Sequence, residues 1–375
     1  MTNPGRLAGM FAGAKLGVQM RNPVRLNILT IALVASASFP VAEAFADGEL
    51  NLLTWEGYAD DAFVKPFTEK TGCAVNPTYV SSNDEMVSKA ISAGSATIDL
   101  VSPSNDATLV LIDAGAVEAL DISKLPHLKD YYPAFQKPAW LTKGDDLYGV
   151  PYGFGYIRVA LKEGAVPGAD SVKALWDPAL KGKIAIWDNL ESLYLAARYV
   201  GVKDVYNMTD EELDASMKAL IALKPNIVKF WASDAEFTEL YASGGILGGN
   251  TTELALSKIW GEGHGDLVDI ETKEKRGGWS DSWMVVKGAG ENPCTYAWLD
   301  WVSSAESQAI ASKVTGYAYS NAKAFDLLDD ATKALLTKLK TNDPKVLNEV
   351  DWWQPVARRS KYLEVFNQAK AASAP

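Results

Sequence analysis

The stretch LLTWEGYADDAFVKPFTEKTG, residues 52–72, places a strand, an aromatic turn and a helix one after another. Apolar residues run up to Thr54, Trp55 and Tyr58 follow at once, and a helical pattern ends at Gly72, a common helix stop. Ligands of open α/β sheets bind beyond the carboxyl ends of the strands. We therefore interpret Trp55 and Tyr58 as binding residues rather than as core residues.

The alternation of strand and helix continues along the chain and predicts an α/β fold with a mostly parallel sheet. Further strands are indicated by CAVNPTYV, TIDLVSPS, KIAIWD, IVKFWAS, GILGGN and GGWSDSWMVVK. The ends of these strands are rich in indoles and carboxylates and poor in His, Lys and Arg. They comprise residues 55–58, 102–106, 187–189, 248–250 and 279–281.

Residues 1–46 have the order of parts that is typical of a secretion signal. Basic residues come first, the apolar run LNILTIALVASASF follows, and small residues offer cleavage after Ala44 or Ala46. The run is shorter than the roughly 20 residues that a membrane-spanning helix needs. We expect an exported, periplasmic protein whose signal peptide is removed, with translation starting at Met1 or Met20.

The charge of the chain argues against a nucleic-acid partner. The chain has 36 basic and 47 acidic side chains and a net charge of −11; removing residues 1–46, with four basic residues and one acidic residue, leaves −14. Phosphate neutralisation needs clustered Lys and Arg. An acidic surface is compatible with a cationic ligand, although acidity also serves solubility alone.

Cys73 and Cys294 are the two cysteines of the chain, and in an exported protein a single pair indicates one disulfide. The bridge would close a long loop, which requires both residues to lie in one lobe. Two cysteines without further ligands do not make a tetrahedral zinc site. We expect no metal and no cofactor.

Two other classes of function stay open at this point. An exported enzyme is one, although the chain has no zinc-protease, nucleophile-elbow or P-loop motif, and His127 and His264 stand in separate loop-like contexts. A ferric-ion-binding protein is the other, because Tyr131, Tyr132, Tyr317 and Tyr319 form two tyrosine pairs. The tryptophans and Asp281 at the strand ends do not suit an iron site.

Several motifs, in order, resemble the periplasmic spermidine/putrescine-binding proteins of ABC transporters. They are TWEGY, FTEKTGCAV, IDLVSPS, YGVPYGFGY, LWDPALKGKIAIWD, GGWSDSWMVV, TGYAYSN and WWQ. The resemblance implies two α/β lobes joined by crossing strands, with a ligand held in the cleft by hinge closure. It implies a first lobe of residues 47–153 plus 280–320 and a second lobe of 154–279 plus 321–375. Both cysteines then fall in the first lobe, as their disulfide requires.

The resemblance also implies a binding site for a small amine. Aromatic rings would hold the methylene chain and the ammonium group, and carboxylates would neutralise its charge. The positions that match are Trp55, Tyr58, Trp279, Asp281, Tyr317 and Gln354. The implied partner is the membrane permease of an ABC transporter, and we expect a monomer.

Three positions depart from the polyamine-binding pattern. Asn189 stands where an acid is typical, Asp106 where a tyrosine is common, and Gly248 where a ring often lies. We include Asn189 and Asp106 in the candidate site. One end of the cleft is then less acidic and less aromatic than a diamine needs, so an ω-amino acid such as 4-aminobutyrate is an alternative ligand.

Two segments near the end of the chain are interpreted as structural. Trp352 and Trp353 are expected in the core, and Arg358 and Arg359 on a solvated helix face, although an arginine there could meet an anionic end of the ligand.

Overall fold

The computed structural model describes residues 48–341 and 343–373. The predicted signal segment, its cleavage sites after Ala44 or Ala46 and the alternative start at Met20 lie outside the described residues. Within the described ranges, no helix is long and apolar enough to span a bilayer.

The strands are, in chain order, β1 (Gly48–Thr54), β2 (Cys73–Tyr79), β3 (Leu100–Val101), β4 (Thr142–Lys143), β5 (Asp146–Leu147), β6 (Val150–Tyr156), β7 (Arg158–Lys162), β8 (Ile184–Trp187), β9 (Ile227–Trp231), β10 (Gly248–Thr251), β11 (Leu267–Asp269), β12 (Gly277–Val285), β13 (Ala318–Tyr319) and β14 (Asp351–Trp352).

The α-helices are α1 (Asp61–Thr71), α2 (Asn83–Ala93), α3 (Asn105–Asp113), α4 (Pro133–Gln136), α5 (Glu191–Val200), α6 (Asp210–Leu223), α7 (Asp234–Ala242), α8 (Glu253–Gly261), α9 (Pro293–Ser303), α10 (Ala305–Thr315), α11 (Asp330–Leu339), α12 (Pro344–Glu349) and α13 (Arg359–Ala371). Short 3-10 segments occupy several of the connections.

Two sheets organise the molecule, and the α/β class predicted from the sequence is confirmed. The first sheet has the order β13-β6-β12-β3-β1-β2, with β14 against β12. The second has the order β11-β7-β10-β8-β9. The pairs β1–β2, β1–β3, β8–β9, β10–β8 and β12–β14 are parallel, whereas β6–β12, β6–β13, β3–β12, β7–β10 and β7–β11 are antiparallel. The sheets are therefore mixed, and the prediction of a mostly parallel sheet was wrong, because the strands at the crossings and the returning strand run against their neighbours.

Local sequence signals set the ends of the first helices. The Asp60 side chain accepts a hydrogen bond from the Ala62 amide and caps α1, which ends at Gly72 in the left-handed conformation (φ 79°). The Ser82 side chain caps α2 in the same way. These caps satisfy amide groups that a helix start leaves unpaired, and they hold α1 and α2 directly behind the ends of β1 and β2.

The chain crosses between the sheets near Ile157 and again before Gly277. Strand β6 belongs to the first sheet and β7 to the second, and the Ile157 amide donates to the Gly277 carbonyl over 2.8 Å where the two crossings meet. The crossings lie close to the predicted lobe boundaries, which stay a prediction.

Helix α9, from a late segment of the chain, packs against elements of the first sheet and its helix α1. Helix α9 places Trp298 against Phe67 of α1, with ring centroids 5.0 Å apart in an edge-to-face arrangement. The same helix carries Cys294, which forms a disulfide with Cys73 at the start of β2. The disulfide predicted from the sequence is confirmed.

Replacing Cys73 and Cys294 by Ser is expected to lower the free energy of unfolding by about 3–5 kcal/mol, because a bridge across a long stretch of chain restricts the unfolded state. The two cysteines are 221 residues apart. Urea unfolding of the oxidised protein and of the double variant measures the difference. Reductant should bring the wild-type protein to the level of the variant and leave the variant unchanged; identical midpoints throughout would contradict the prediction.

Candidate functional site

A cavity of about 480 Å³ lies where the carboxyl ends of strands from both sheets face each other. Residues after β1 and β3 line it from the first sheet, and residues after β8, β9 and β10 line it from the second. Every site residue predicted from the sequence lies in its wall: Trp55, Tyr58, Asp106, Asn189, Trp279, Asp281, Tyr317 and Gln354. Tyr58 is also a core residue, contrary to the contrast drawn from the sequence, because its ring is 2% exposed and packs on Tyr152 while its hydroxyl reaches Asp281. The role of these residues in binding a ligand stays a prediction.

Asp281 is the buried carboxylate of the cavity, with 5% of its surface exposed. It accepts a hydrogen bond of 2.6 Å from the Tyr58 hydroxyl at Oδ2 and one of 2.6 Å from the Ser104 hydroxyl at Oδ1. Among the described residues, no Lys, Arg or His side chain forms an ion pair with it. The carboxylate is therefore held by two neutral donors and has no cation to balance its charge.

Asp281 lies opposite an irregularity in the pairing of β12 with β6. Ser280 pairs with Phe154 and Ser282 with Pro151, so the extra residue of the irregularity lies on β6. On its other side, Asp281 pairs with Ser104, just beyond the end of β3, in an isolated antiparallel bridge. This bridge places Asp281 beside the residues that follow β3.

Burial raises the pKa of Asp281 to about 7, while the hydrogen bonds from Ser104 and Tyr58 oppose the shift. Desolvation disfavours the charged form of a carboxyl group, and a nearby cation would favour it. Near neutral pH the empty site is poised between a neutral and a charged carboxyl group. A cation that entered the cavity would stabilise the charged form.

Two glycines of β6 leave room for the aromatic side chains around Asp281. A Cβ atom on Gly153 would lie 2.7 Å from Tyr58 Oη, and one on Gly155 would lie 2.8 Å from Trp279 Cζ2. Both distances are far below ordinary carbon contacts. The absence of side chains at these positions lets Tyr58 reach Asp281 and lets Trp279 pack against the strand.

Aromatic side chains form much of the cavity wall on the side of the first sheet. The Trp55 indole donates through Nε1 to the Ser102 carbonyl over 2.7 Å. The rings of Trp279 and Tyr317 pack edge to face with centroids 4.8 Å apart. These contacts fix the rings independently of any ligand, so the site needs little ordering on binding.

Further rings that the sequence-based assignment left out come from the end of β8 in the second sheet and from the residue after β14 in the first. Trp187, the last residue of β8, lines the cavity and stacks on Trp231 with centroids 5.3 Å apart. Trp353 also lines it and donates through Nε1 to Glu191 Oε2 over 3.1 Å. Trp352 packs on Phe135 as the core prediction implied. Trp353 instead reaches the cavity.

Asp106 is part of a charged cluster rather than a free ligand group. Its Oδ1 accepts from Asn83 over 2.6 Å, and its Oδ2 lies 3.4 Å from Arg359. Arg359 also contacts both carboxylate oxygens of Asp84. Burial raises the pKa of Asp106 to about 6, and Arg359 opposes the shift. Arg359 was expected on a solvated face, but it lines the cavity and bridges two acids.

Asn189 and Gln354 have different surroundings. Asn189 Oδ1 accepts from the Glu191 amide over 2.9 Å, so its carbonyl supports the start of α5 while its side chain borders the cavity. Gln354 is exposed at the cavity wall.

Asp234 is a cavity residue that sequence reasoning missed. It is the first residue of α7, just after β9, and it accepts a hydrogen bond from Thr252 at the end of β10. Burial raises its pKa, and the Thr252 hydrogen bond opposes the shift. Among the described residues it forms no ion pair. Asp234 could have been found from the sequence because it follows the end of a strand. Trp187 could have been found in the same way, because it is the last residue of β8.

Comparison with known proteins gives a consistent picture. The family of bacterial extracellular solute-binding proteins matches residues 62–345. A putrescine/cadaverine-binding protein of Pseudomonas aeruginosa is 26% identical over 81% of this chain and 88% of its own length. A spermidine/putrescine-binding periplasmic protein of Haemophilus influenzae is 24% identical over 88% of this chain and 91% of its own length.

A solved structure supports the fold. The spermidine/putrescine ABC transporter substrate-binding protein of Streptococcus pneumoniae, determined with calcium and HEPES, superposes with a TM-score of 0.74 at 23% identity. The match covers 86% of this chain and 99% of that one. The two-lobed fold implied by the sequence motifs is confirmed, and so is the resemblance itself. The chain belongs to the family of bacterial extracellular solute-binding proteins.

Proposed function

We propose that this protein captures a small aliphatic amine of the putrescine or spermidine type outside the cytoplasm and delivers it to the permease of an ABC transporter. The observation that carries the proposal is Asp281, a buried carboxylate that faces the cavity without a cationic partner among the described residues. The Pseudomonas relative, a putrescine/cadaverine-binding protein, and the Haemophilus relative, a spermidine/putrescine-binding protein, support this class of ligand.

A primary ammonium is the group that this site suits best. An ammonium that leaves water must recover a large desolvation cost, and a charge-assisted hydrogen bond to Asp281 would do so. Trp55 and Trp279 border the same cavity, and each cation–π contact contributes about 0.5–2 kcal/mol. The indoles also cover a short methylene chain without requiring polar partners.

The overall charge of the cavity wall favours a cation as well. The wall contains six carboxylates, Glu56, Asp84, Asp106, Asp188, Asp234 and Asp281, against two basic side chains, Arg359 and Lys370. Both basic side chains are already engaged, Arg359 with Asp84 and Asp106 and Lys370 with Asp188. The remaining negative charge is concentrated on Asp281, Asp234 and Glu56.

Asp234 makes a diamine the first choice of ligand. It lies on the second sheet's side, whereas Asp281 belongs to the first sheet. A chain with an ammonium at each end would neutralise the buried Asp281 on one side of the cleft and the partly buried Asp234 on the other. Such a ligand would stabilise the closed cleft because it contacts both lobes.

An ω-amino acid such as 4-aminobutyrate is the second candidate ligand. The observation that favours it is the presence of Arg359 and Lys370 in the cavity wall. A ligand carboxylate would have to compete with Asp84, Asp106 or Asp188 for these side chains. That competition ranks the ω-amino acid below the diamine.

The other classes of function receive no support from the site. Within the described residues, no cluster of three His, Cys, Asp or Glu side chains could hold a metal ion. Tyr131 is buried, and its hydroxyl accepts from Gln308 rather than lining the cavity. We propose binding without catalysis, in the periplasm, after removal of the signal peptide.

Binding of diamines should depend on Asp281 more than on other acids of the cavity. Asp281→Asn is expected to weaken putrescine or spermidine binding at least tenfold, because a charge-assisted bond in a desolvated site is lost. Isothermal titration calorimetry measures the change, after a thermal-shift panel of diamines, polyamines and ω-amino acids has identified the best ligand.

Glu56→Gln is the matched control, because Glu56 lines the same cavity but is exposed. It removes the same charge and should weaken binding less than threefold, since solvent screens an exposed group. Equal losses in the two variants, or an unchanged dissociation constant in Asp281→Asn, would remove Asp281 from the site. If no amine in the thermal-shift panel binds, the proposed function is rejected.

Amine affinity should fall as the pH drops below about 7, the pKa of Asp281 in the empty site. The carboxyl group is mostly charged at pH 8 and mostly neutral at pH 6, while an aliphatic amine stays charged throughout. Affinity should therefore be about tenfold weaker at pH 6 than at pH 8. Calorimetry at both values tests this, and Asp281→Asn should show a much flatter profile; a wild-type affinity that rises toward acid pH would overturn the assignment.

Arg359 should favour the closed cleft, because it lies on α13, which packs with the second sheet, and contacts Asp84 and Asp106 beside the first. Arg359→Gln is expected to enlarge the radius of gyration of the ligand-free protein and to weaken amine binding several-fold, since less of the protein is in the binding-competent state. Small-angle scattering and calorimetry measure the two effects. Lys361→Gln, on the same helix but paired only within it, is the control and should change neither; a radius that stays the same in Arg359→Gln would contradict the role.

A further inference from the structure

A second depression, of about 460 Å³, lies outside the ligand cleft and shares no lining residue with it. It is formed by the end of α5, the loop that follows, and the segment before β12. Tyr199 in its wall is held by stacking on Trp176 with ring centroids 4.0 Å apart. The depression therefore has at least one rigid side.

Basic side chains dominate this depression although the whole chain has a net charge of −11. Four exposed lysines line it: Lys173, Lys203, Lys273 and Lys275. Lys273 pairs with Asp170 over 2.5 Å. The other three form no ion pair with any residue that the structure describes.

The two acids in the lining are committed to other partners. Glu274 accepts from the Ser171 hydroxyl over 2.7 Å and from the Val172 amide over 3.0 Å. Asp351 accepts from Arg198 over 3.0 Å. Neither is paired with the exposed lysines, so among the described residues Lys173, Lys203 and Lys275 have no carboxylate partner.

Arg198 adds a buried donor to the lining of the depression. Only 6% of its side chain is exposed, and its two terminal nitrogens bind Glu191 and Asp351. Its Nε is buried and has no hydrogen-bond acceptor among the described residues. An unsatisfied buried donor is unusual in a native protein and costs free energy unless an acceptor reaches it.

The carbonyl oxygens at the carboxyl end of α5 repel an anion less than those of an uncapped helix end would. The Gly201 amide donates to the Arg198 carbonyl and the Val202 amide to the Ala197 carbonyl. These bonds occupy carbonyl oxygens that would otherwise repel negative charge.

We propose that this depression binds a phosphate group, with the lysines at its rim contributing charge and Arg198 contributing a hydrogen bond from Nε. Phosphate oxygens accept several hydrogen bonds at once and suit a cluster of Lys and Arg. The phosphate belongs to a small free anion or to a lipid headgroup. The proposal is independent of amine binding in the cleft, because the two sites share no residue.

Calorimetry of the ligand-free protein with inorganic phosphate at low ionic strength tests the free-anion source. Lys203→Gln combined with Lys275→Gln should weaken phosphate binding at least tenfold and leave amine binding in the cleft unchanged. Lys129→Gln combined with Lys287→Gln is the matched control. These two lysines are exposed, lie outside the depression and form no ion pair among the described residues. The control should retain wild-type phosphate binding.

Co-sedimentation with vesicles of phosphatidylglycerol and phosphatidylcholine tests the lipid source with the same variants. The site is supported if the Lys203/Lys275 variant loses binding of either probe while the control variant keeps it. Absence of binding to both probes overturns it, as does an equal loss in the two double variants, which would show only a general charge effect.

Discussion

The pair of hydrogen bonds that Tyr58 and Ser104 donate to Asp281 is the contact on which the rest of the cleft depends. Tyr58 follows β1, Ser104 follows β3, and Asp281 belongs to β12, which returns from a distant part of the chain. The ends of β1 and β3 and the middle of β12 are thereby fixed at one point. Since the two donors are neutral, the contact orients the carboxylate and leaves its charge for another group.

The surroundings of Asp281 show how the sequence builds such a group without losing the fold. A buried charge without a counter-ion is costly, and the pKa near 7 reflects that cost. The chain limits it in two ways, through the hydrogen bonds just described and through the glycines of β6 that admit Tyr58 and Trp279. An Ala at Gly153 would displace Tyr58 and remove one of the two donors.

Much of the site could be predicted because it follows a local rule. Trp55 and Tyr58 follow a strand end, whereas Trp279 and Asp281 were assigned mainly from the resemblance to the polyamine-binding proteins, and all four line the cavity. Asp234 also follows a strand and was overlooked, because its neighbours resemble an ordinary helix start. Fold class and disulfide pairing followed from equally local patterns of alternation and cysteine count.

Other features of the site could not be predicted, because they depend on how distant segments pack together. The periodicity of apolar residues along the sequence does not contain that information. Arg359 stands at the start of α13 and looks like a solvated residue until the helix is docked beside Asp84 and Asp106. Trp353 was predicted to lie in the core, but it lines the cavity, where its indole donates a hydrogen bond to Glu191. Asn189 was chosen as a substitute for an acid, yet its carbonyl supports the start of α5.

The acids of the cavity are of two kinds, those that pair with a basic side chain and those that do not. Asp84 and Asp106 pair with Arg359 of α13, which joins α13 to the side of the first sheet, whereas Asp188 pairs with Lys370 of α13 on the side of the second sheet, so all three acids have a cation whether or not a ligand is present. Asp281 and Asp234 have no such partner among the described residues, and only a ligand can balance them. A neutral ligand would leave both desolvated and an anionic ligand would add repulsion, whereas a cation gains at each carboxylate that it meets. In the function that we propose, selectivity for amines would follow less from new attractive contacts than from the charges that the protein leaves unpaired.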